Sequence, residues 1–428
     1  MQCRLLAMSN RTYRRNVAVN TIGETIWGLK SNMVVSSVVL AMLLHQFGAS
    51  PLVIGSIGAI EASMLLLPQM LGGYIFHSRA RRKVQLVIWH YAVMLPFHLI
   101  MGIATFFSDQ LTPGIYSAVM LISFAGFMGS IGVVGASWFE YFYGTIFSGG
   151  RGSALGLSIF GSSLAGTGGT LFAGALIRSM PFPQAYAWLY IIAWFLGIVS
   201  ITCFLFIKDE GETEAAVQPR PSAGDLWKSL RASLGVPNFR TYLIGRAIAL
   251  SAFGIMPFVA IHFTSPSGGS LAKASVVSLY AAFTVAHAGG SLIMGRIGDR
   301  IGYRPGILLA AAMQCVCLLF AILLPGTAGC LATYFCAGLA AACTFVSNSN
   351  LIIEMCPHGN RVAHIATANL LLGVPSLIAP MLAGWLAAAG GIVPLFILSA
   401  VLSSVAFLWL SFRFQDPRRL AKDTASCT

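Results

Sequence analysis

The sequence predicts an all-α polytopic membrane protein, twelve transmembrane helices in two pseudo-symmetric six-helix bundles. Three observations predict it: too few charges for a soluble surface, a series of apolar stretches of bilayer length, and a one-sided distribution of Lys and Arg between them. Of the 428 residues, 57% are hydrophobic and 9% charged, against roughly 45–50% and about 25% in soluble domains. The 45 glycines are spread through the apolar stretches, as expected where helices pack closely in lipid.

The net charge of +13 does not point to nucleic acid, because the cations sit in short clusters between apolar runs and not along one folded face. The nine cysteines include no Cys-x-x-Cys pair and lie mostly in or beside apolar runs, so they read as packing residues and not as a disulfide framework. The basic N-terminus (Arg4, Arg11, Arg14, Arg15) shows no cleavable signal pattern.

Apolar stretches and turn residues place the spans at about 20–46, 51–76, 84–107, 114–137, 152–177, 186–207, 240–263, 273–295, 306–325, 328–353, 362–389 and 392–412. The one long polar interval, 208–238, carries Asp209, Glu210, Glu212, Glu214 and Pro219-Arg220-Pro221 and reads as a linker. It divides a bundle over 1–207, including a basic tail, from a second over 239–428. With twelve spans, 22 of the 26 Lys and Arg fall on the side of the two tails and the linker. Only Arg178 and Lys273 fall on the other side, and Lys30 and Arg246 fall inside spans. The positive-inside rule then makes both termini and the linker cytoplasmic.

The two halves repeat. Gly295-Arg-Ile-Gly-Asp299-Arg300-Ile-Gly302-Tyr-Arg304 follows span 8, and Gly73-Tyr-Ile-Phe-His77-Ser-Arg-Ala80-Arg-Arg82 follows span 2, at an offset of 222 residues. The same offset sets Asn16 on Asn238 and Gly23 on Gly245. Such internal duplication is common in transporters. The second copy resembles the signature loop of the major facilitator superfamily, Gly-x-x-x-Asp-Arg-x-Gly-Arg-Arg, with Tyr303 in place of a basic residue. The first copy is degraded, with His77 for the acid and Ala80 for a glycine.

The resemblance implies a major facilitator fold and a cytoplasmic gate built on Gly295, Asp299, Arg300, Gly302 and Arg304. Asp299 would accept hydrogen bonds at a neighbouring helix N-terminus. Arg300 and Arg304 would pair with acids at other helix ends, Glu354 and Glu140 being candidates; the bland alternative is charges that merely anchor a tight turn.

Ionisable side chains at bilayer depth cost on the order of 2.5–3.5 kcal/mol or more, so they are paired or functional. Glu24 and Lys30 on span 1, Glu61 on span 2 and Arg246 on span 7 are such residues, and Glu24 and Arg246 are repeat mates. Lys30 and Glu61 both fall near the midplane and are expected to pair. With Arg246 they would form the polar part of a central cavity, and Glu24 would extend the network towards the cytoplasm; a structural ion pair is the alternative. His287 on span 8 is a candidate proton relay or a satisfied buried histidine. Asn348 and Asn350 on span 10, which borders the cavity in the family, are candidates for substrate contact or helix pairing. His90 and His98 rank lower, since span 3 is peripheral in the family, and Gln314 and Asn369 could bond substrate or another helix.

Drug/proton antiporters of the superfamily carry an arginine on span 4 and a Gly-Pro motif on span 5; neither is present here. The sequence has no Walker loop, metal-ligand cluster or nucleophile constellation, so no cofactor or metal is expected. The expected function is secondary transport of a small organic solute, anionic or zwitterionic, by alternating access, and the resemblance to the family alone implies a proton as coupling ion. Multidrug or metabolite efflux, and a non-transporting sensor or assembly factor on the same fold, are the alternatives. A membrane-embedded enzyme would need clustered catalytic groups, whereas His77, Glu140 and His358 are scattered. The expected partners are the solute, the coupling ion and the bilayer, for a monomer in a prokaryotic inner membrane.

Overall fold

A computed structural model describes residues 10–76, 82–139, 141–142, 151–208, 231–356 and 361–420, and no strand occurs among them. Most of the linker and His77, Ala80, Glu140 and His358 therefore lie outside the described residues. Span 1 comprises Asn10–Met33, Ser36–Leu40 and Ala41–Gln46; span 2, Pro51–Leu66 and Gln69–Ile75; span 3, Arg82–Trp89, His90–Met94 and Leu95–Phe106. Spans 4, 5 and 6 are Pro113–Phe139, Arg151–Ser179 and Gln184–Leu205. In the second half, span 7 comprises Pro237–Phe253 and Met256–Thr264, and span 8 Lys273–Leu279 and Ala281–Ile301. Spans 9 to 12 are Arg304–Leu323, Gly326–Glu354, Arg361–Gly390 and Ile392–Arg413. Among the described residues, eleven stretches are long and apolar enough to cross a membrane, and Pro51–Leu66 is a shorter apolar helix continued beyond a turn. This is an integral, multi-pass membrane protein.

The spans begin and end close to their expected limits, with two differences. Span 1 starts at Asn10, its first turns carrying Arg11, Arg14 and Arg15. Span 8 continues to Ile301, so most of the signature segment is helix and not loop. The helix stops at Gly302, whose φ of 94° suits a residue without a Cβ.

Several spans are interrupted inside the bundle. Span 1 breaks after Met33: Val35 is extended (φ −56°, ψ 124°), and the chain resumes through a wide turn at Ser36–Leu40. The β-branched Val34-Val35 pair resists the helix, and the Ser36-Ser37 pair offers competing hydrogen bonds to the backbone. Span 7 breaks at Gly254-Ile255, within two residues of the equivalent point in the repeat. Broken helices are tolerated at this depth where they are buried in protein or line a cavity.

The duplication is visible in matching contacts. Asn16 Nδ2 donates to the Lys208 carbonyl (2.7 Å) and its Oδ1 accepts from the Lys208 amide (2.9 Å). Asn238 makes the same pair of bonds with Gln415, at 2.9 and 3.0 Å. A Cβ on Gly23 would meet the Phe204 ring at 2.7 Å, and one on Gly245 would meet Leu410 at 2.5 Å. The first and last span of each half thus close on one another through the same asparagine and glycine. Lys83 donates to the Leu205 and Ile207 carbonyls, and Arg304 to those of Ser411 and Phe414. In each half a cation at the start of the third span caps the C-terminus of the sixth, where the helix dipole is negative.

The halves meet away from the side that holds the described chain ends. There a single apolar core draws on both, with Val38–Leu44 of span 1 beside Phe258–Phe263 of span 7, and Met120 and Tyr190 beside Tyr280 and Tyr334. Towards the chain ends two cores are separate: Phe76, Val133, Phe142 and Phe204 in the first half, and Phe239, Tyr303, Ile352 and Phe414 in the second. The structure is sealed on the far side and divided on the side of the termini.

Gly245→Leu should lower the unfolding free energy by about 1–3 kcal/mol through overpacking against Leu410, with Gly23→Leu acting similarly against Phe204. Thermal unfolding of the purified variants in detergent checks this; unchanged melting temperatures would contradict the shared closure of the two halves.

Candidate functional site

Lys30 lies one turn before the break in span 1 and has no exposed surface. Its ammonium stands 3.9 Å from the Trp27 ring centroid and 4.6 Å from that of Phe127, with His98 Nδ1 at 3.5 Å. Trp27 is three residues back on the same helix, a spacing that stacks neighbouring side chains. His98 comes from span 3, beyond the wide turn His90–Met94, which changes the register of the helix that follows. Its ring lies on Phe127, centroids 4.0 Å apart at 30°. Although span 3 was expected to be peripheral, the register change brings its His98 inside.

The expected Lys30–Glu61 pair is not formed. Glu61 instead accepts a hydrogen bond from Ser36 Oγ at 2.6 Å, the first residue after the break. Tyr280, at the interruption in span 8, faces Ser37 and Glu61 from the other half. Two desolvated cation–π contacts supply about 2 kcal/mol each, whereas taking an ion out of water costs several kcal/mol. Lys30 is thus held by ring faces and an imidazole where a carboxylate would compensate it fully.

Its neighbours His98 and Phe127 line a cavity of 240 Å³, together with Asn32, Ser36, Glu61 and Tyr190 among others, and Lys30 itself lies behind that wall. The volume is that of about eight waters, the scale of a small metabolite. The Tyr190 hydroxyl is buried there without a hydrogen-bond partner. A second cavity of 220 Å³ has Glu24, Trp27, His90, Trp138, Ser200 and Phe204 in its wall, and Ile131 borders both.

Arg246 does not join these groups. It is buried in the second half, where its Nε donates to Asn348 Oδ1 (3.3 Å) and the Tyr242 hydroxyl donates to the same oxygen (2.6 Å). Glu24, Lys30, Glu61 and Arg246 were expected around one junction cavity; three lie in the first half and the fourth is hydrogen-bonded to an amide in the second. Asn350 Nδ2 bonds the Val346 carbonyl of its own helix. His287 is half-buried and lies parallel to Phe283, centroids 6.1 Å apart. Gln314 donates to the Ala249 carbonyl, and Asn369 to Gln69 Oε1 across the two halves. Among the described residues no group of three or more His, Cys, Asp or Glu is placed to hold a metal ion.

At the side of the chain ends, the signature segment knits the second half together. Asp299 Oδ1 accepts from the Tyr303 hydroxyl (2.6 Å), whose pKa is pushed up to about 12 by burial and by that carboxylate. Arg304 bonds the end of span 12 and not Glu354. Glu354 pairs with Arg418, whose Nε and Nη2 lie 2.8 and 2.7 Å from its Oε1. Arg418 Nη1 also donates to the Asp299 carbonyl. Arg300 is exposed, and a Cβ on Gly295 would meet nothing within 4 Å.

Sequence reading missed Trp27, Ser36, Tyr190 and Trp138. The serine pair following two valines was the available signal for the break, and Trp27 stands three residues from an intramembrane lysine. Tyr190 and Trp138 carry no local signal, because only tertiary packing brings them to the cavities.

Asn348→Ala should leave the guanidinium of Arg246 under-bonded and cost about 1–3 kcal/mol, a loss that Arg246→Met in the same protein should largely relieve. Unfolding in detergent of both single variants and the double variant measures the coupling; additive losses would show that the two residues act separately.

Residues 241–426 match the model of the Major Facilitator Superfamily. No curated protein matches the sequence significantly. Among solved structures, the chain is similar to the nucleoside transporter NupG (TM-score 0.69, 12% identity, 94% of this chain and 100% of that one). It is also similar to a D-xylose-proton symporter (0.67, 14%, 94% and 98%) and to the fucose:proton symporter FucP of E. coli (0.60, 14%, 95% and 100%). At these identities the likeness is one of fold, and it extends over nearly the whole chain. The family match covers the second half of the chain, and over nearly its whole length the protein has the major facilitator fold.

Proposed function

We propose that the protein is a secondary active transporter that carries a small organic anion or zwitterion across the membrane by alternating access. The observation that carries this is Lys30: a buried ammonium, held by ring faces and an imidazole, beside a cavity at a broken helix. An anionic group entering the cavity would supply the missing countercharge. The orphan Tyr190 hydroxyl offers a further polar contact, and Glu61 could receive the cationic end of a zwitterion. The transporters similar in fold support transport as the class of activity. That two of them are named as proton symporters supports a proton as coupling ion, with Glu61 and His98 as candidate carriers of it.

The far-side seal and the separate cores near the chain ends suit a carrier open towards the termini, which the cation distribution makes the cytoplasmic side. The halves over 1–207 and 239–428, joined by 208–238, would rock about the shared core. Asp299, Glu354 and Arg418 would brace the second half at its cytoplasmic rim as it moves, a gating role in which Gly295, Arg300, Gly302 and Arg304 take part. We place the protein in a prokaryotic inner membrane as a monomer that uses no cofactor.

Lys30→Met should keep the fold, with a melting temperature equal to or above that of the parent, because it removes an incompletely compensated buried charge. It should also lower solute flux by about tenfold or more, equivalent to losing about 1.4 kcal/mol of binding. A panel of small carboxylates and zwitterions, assayed for flux in proteoliposomes with and without a proton gradient, tests this. Flux of one panel member that Lys30→Met leaves intact would refute the role given to Lys30; no flux of any member under any gradient would favour a sensor.

A further inference from the structure

The second cavity has a chemistry of its own. Its wall joins one carboxylate, Glu24, to the aromatic rings of Trp27, His90, Trp138 and Phe204. Trp138 packs against Phe204 (centroids 4.5 Å, 69°) and His90 (5.0 Å, 58°), and His90 against Trp27 (6.0 Å, 84°). The four side chains form a continuous aromatic lining drawn from spans 1, 3, 4 and 6. Trp138 faces the Glu24 carboxylate, and Glu24 forms no salt bridge among the described residues.

A carboxylate set among ring faces in a space of 220 Å³ suits a cation that carries its charge on a hydrophobic body. Ring quadrupoles attract such a cation without hydrogen bonds, and the carboxylate neutralises it. A bare alkali ion fits poorly, since it takes a shell of oxygens and the polar side chains in the wall are few. His90 Nδ1 is already engaged with the Leu86 carbonyl at 2.6 Å, so that nitrogen is unavailable to a ligand. Lys30 lies between the two cavities and is in the wall of neither: its ammonium rests on Trp27 of the second and on Phe127 and His98 of the first.

We propose that this cavity is a second binding site, for a small organic ammonium ion, separate from the anion site at Lys30. Its occupant sits on the terminal side of Lys30, with Ile131 in the partition. The assignment concerns binding alone and does not depend on the transport reading.

The test is equilibrium dialysis of radiolabelled choline against the purified full chain in sodium-free buffer, with 3,3-dimethyl-1-butanol, its uncharged isostere, as competitor. Choline should bind saturably, and the isostere should not displace it. Glu24→Gln should weaken binding by about tenfold or more, and Trp138→Leu by several-fold. Lys30→Met, which removes a neighbouring positive charge, should leave choline binding intact or tighten it. Melting curves identify any variant that fails to fold, and Glu24→Asp, which keeps the charge, should retain measurable binding. Absent saturable binding, equal displacement by the alcohol, or undiminished binding to folded Glu24→Gln would each overturn the assignment. Loss of solute flux in Lys30→Met with choline binding preserved separates this site from the anion site.

Discussion

The structure depends on one constraint: inside a bilayer every polar or charged group must find its partner within the protein. Helices satisfy their own backbones, and what remains is a short inventory of side chains. Arg246 meets it through an amide oxygen shared with Tyr242. Glu61 meets it with the serine that the break in span 1 exposes. Lys30 meets it only in part. These different arrangements could not be drawn from residue type alone.

The same constraint explains how the chain was duplicated without becoming symmetric. Asn16 and Asn238, Gly23 and Gly245, and the cations capping spans 6 and 12 preserve the closure of each half, where backbone groups must be satisfied in any state. The interior positions are free to diverge. Glu24 and Arg246 occupy equivalent places in the repeat, yet one borders an aromatic cavity and the other is buried against Asn348. The second half keeps a signature segment whose contacts brace its own helix ends, and the first half carries both cavities.

Much of the fold was legible in the sequence because it is dictated by hydrophobic length and by the sidedness of Lys and Arg. Apart from the start of span 1 and the end of span 8, the helix limits differ little from expectation. The repeat at 222 residues was legible as well, and its asparagines and glycines make matching contacts. The site was less so. Buried charge could be located along each helix, but not which way it points: Lys30 and Glu61 share a depth without sharing a bond, and Arg304 reaches the carbonyls of span 12 in place of Glu354. His98 was underrated because a wide turn in span 3 alters its facing, and nothing in the residues His90–Met94 announces that turn.

On the far side, spans 2, 7 and 11 converge at Gly58, Gly254 and Pro380. A Cβ on Gly58 would lie 3.0 Å from the Gly254 carbonyl, and one on Gly254 would lie 2.6 Å from Pro380 Cγ. Main chains from both halves therefore touch here with almost no side chain between them. In the rocking motion proposed above, a joint of this kind would act as a smooth bearing, with few rotamers to unlock at the fulcrum while the distant rims travel furthest.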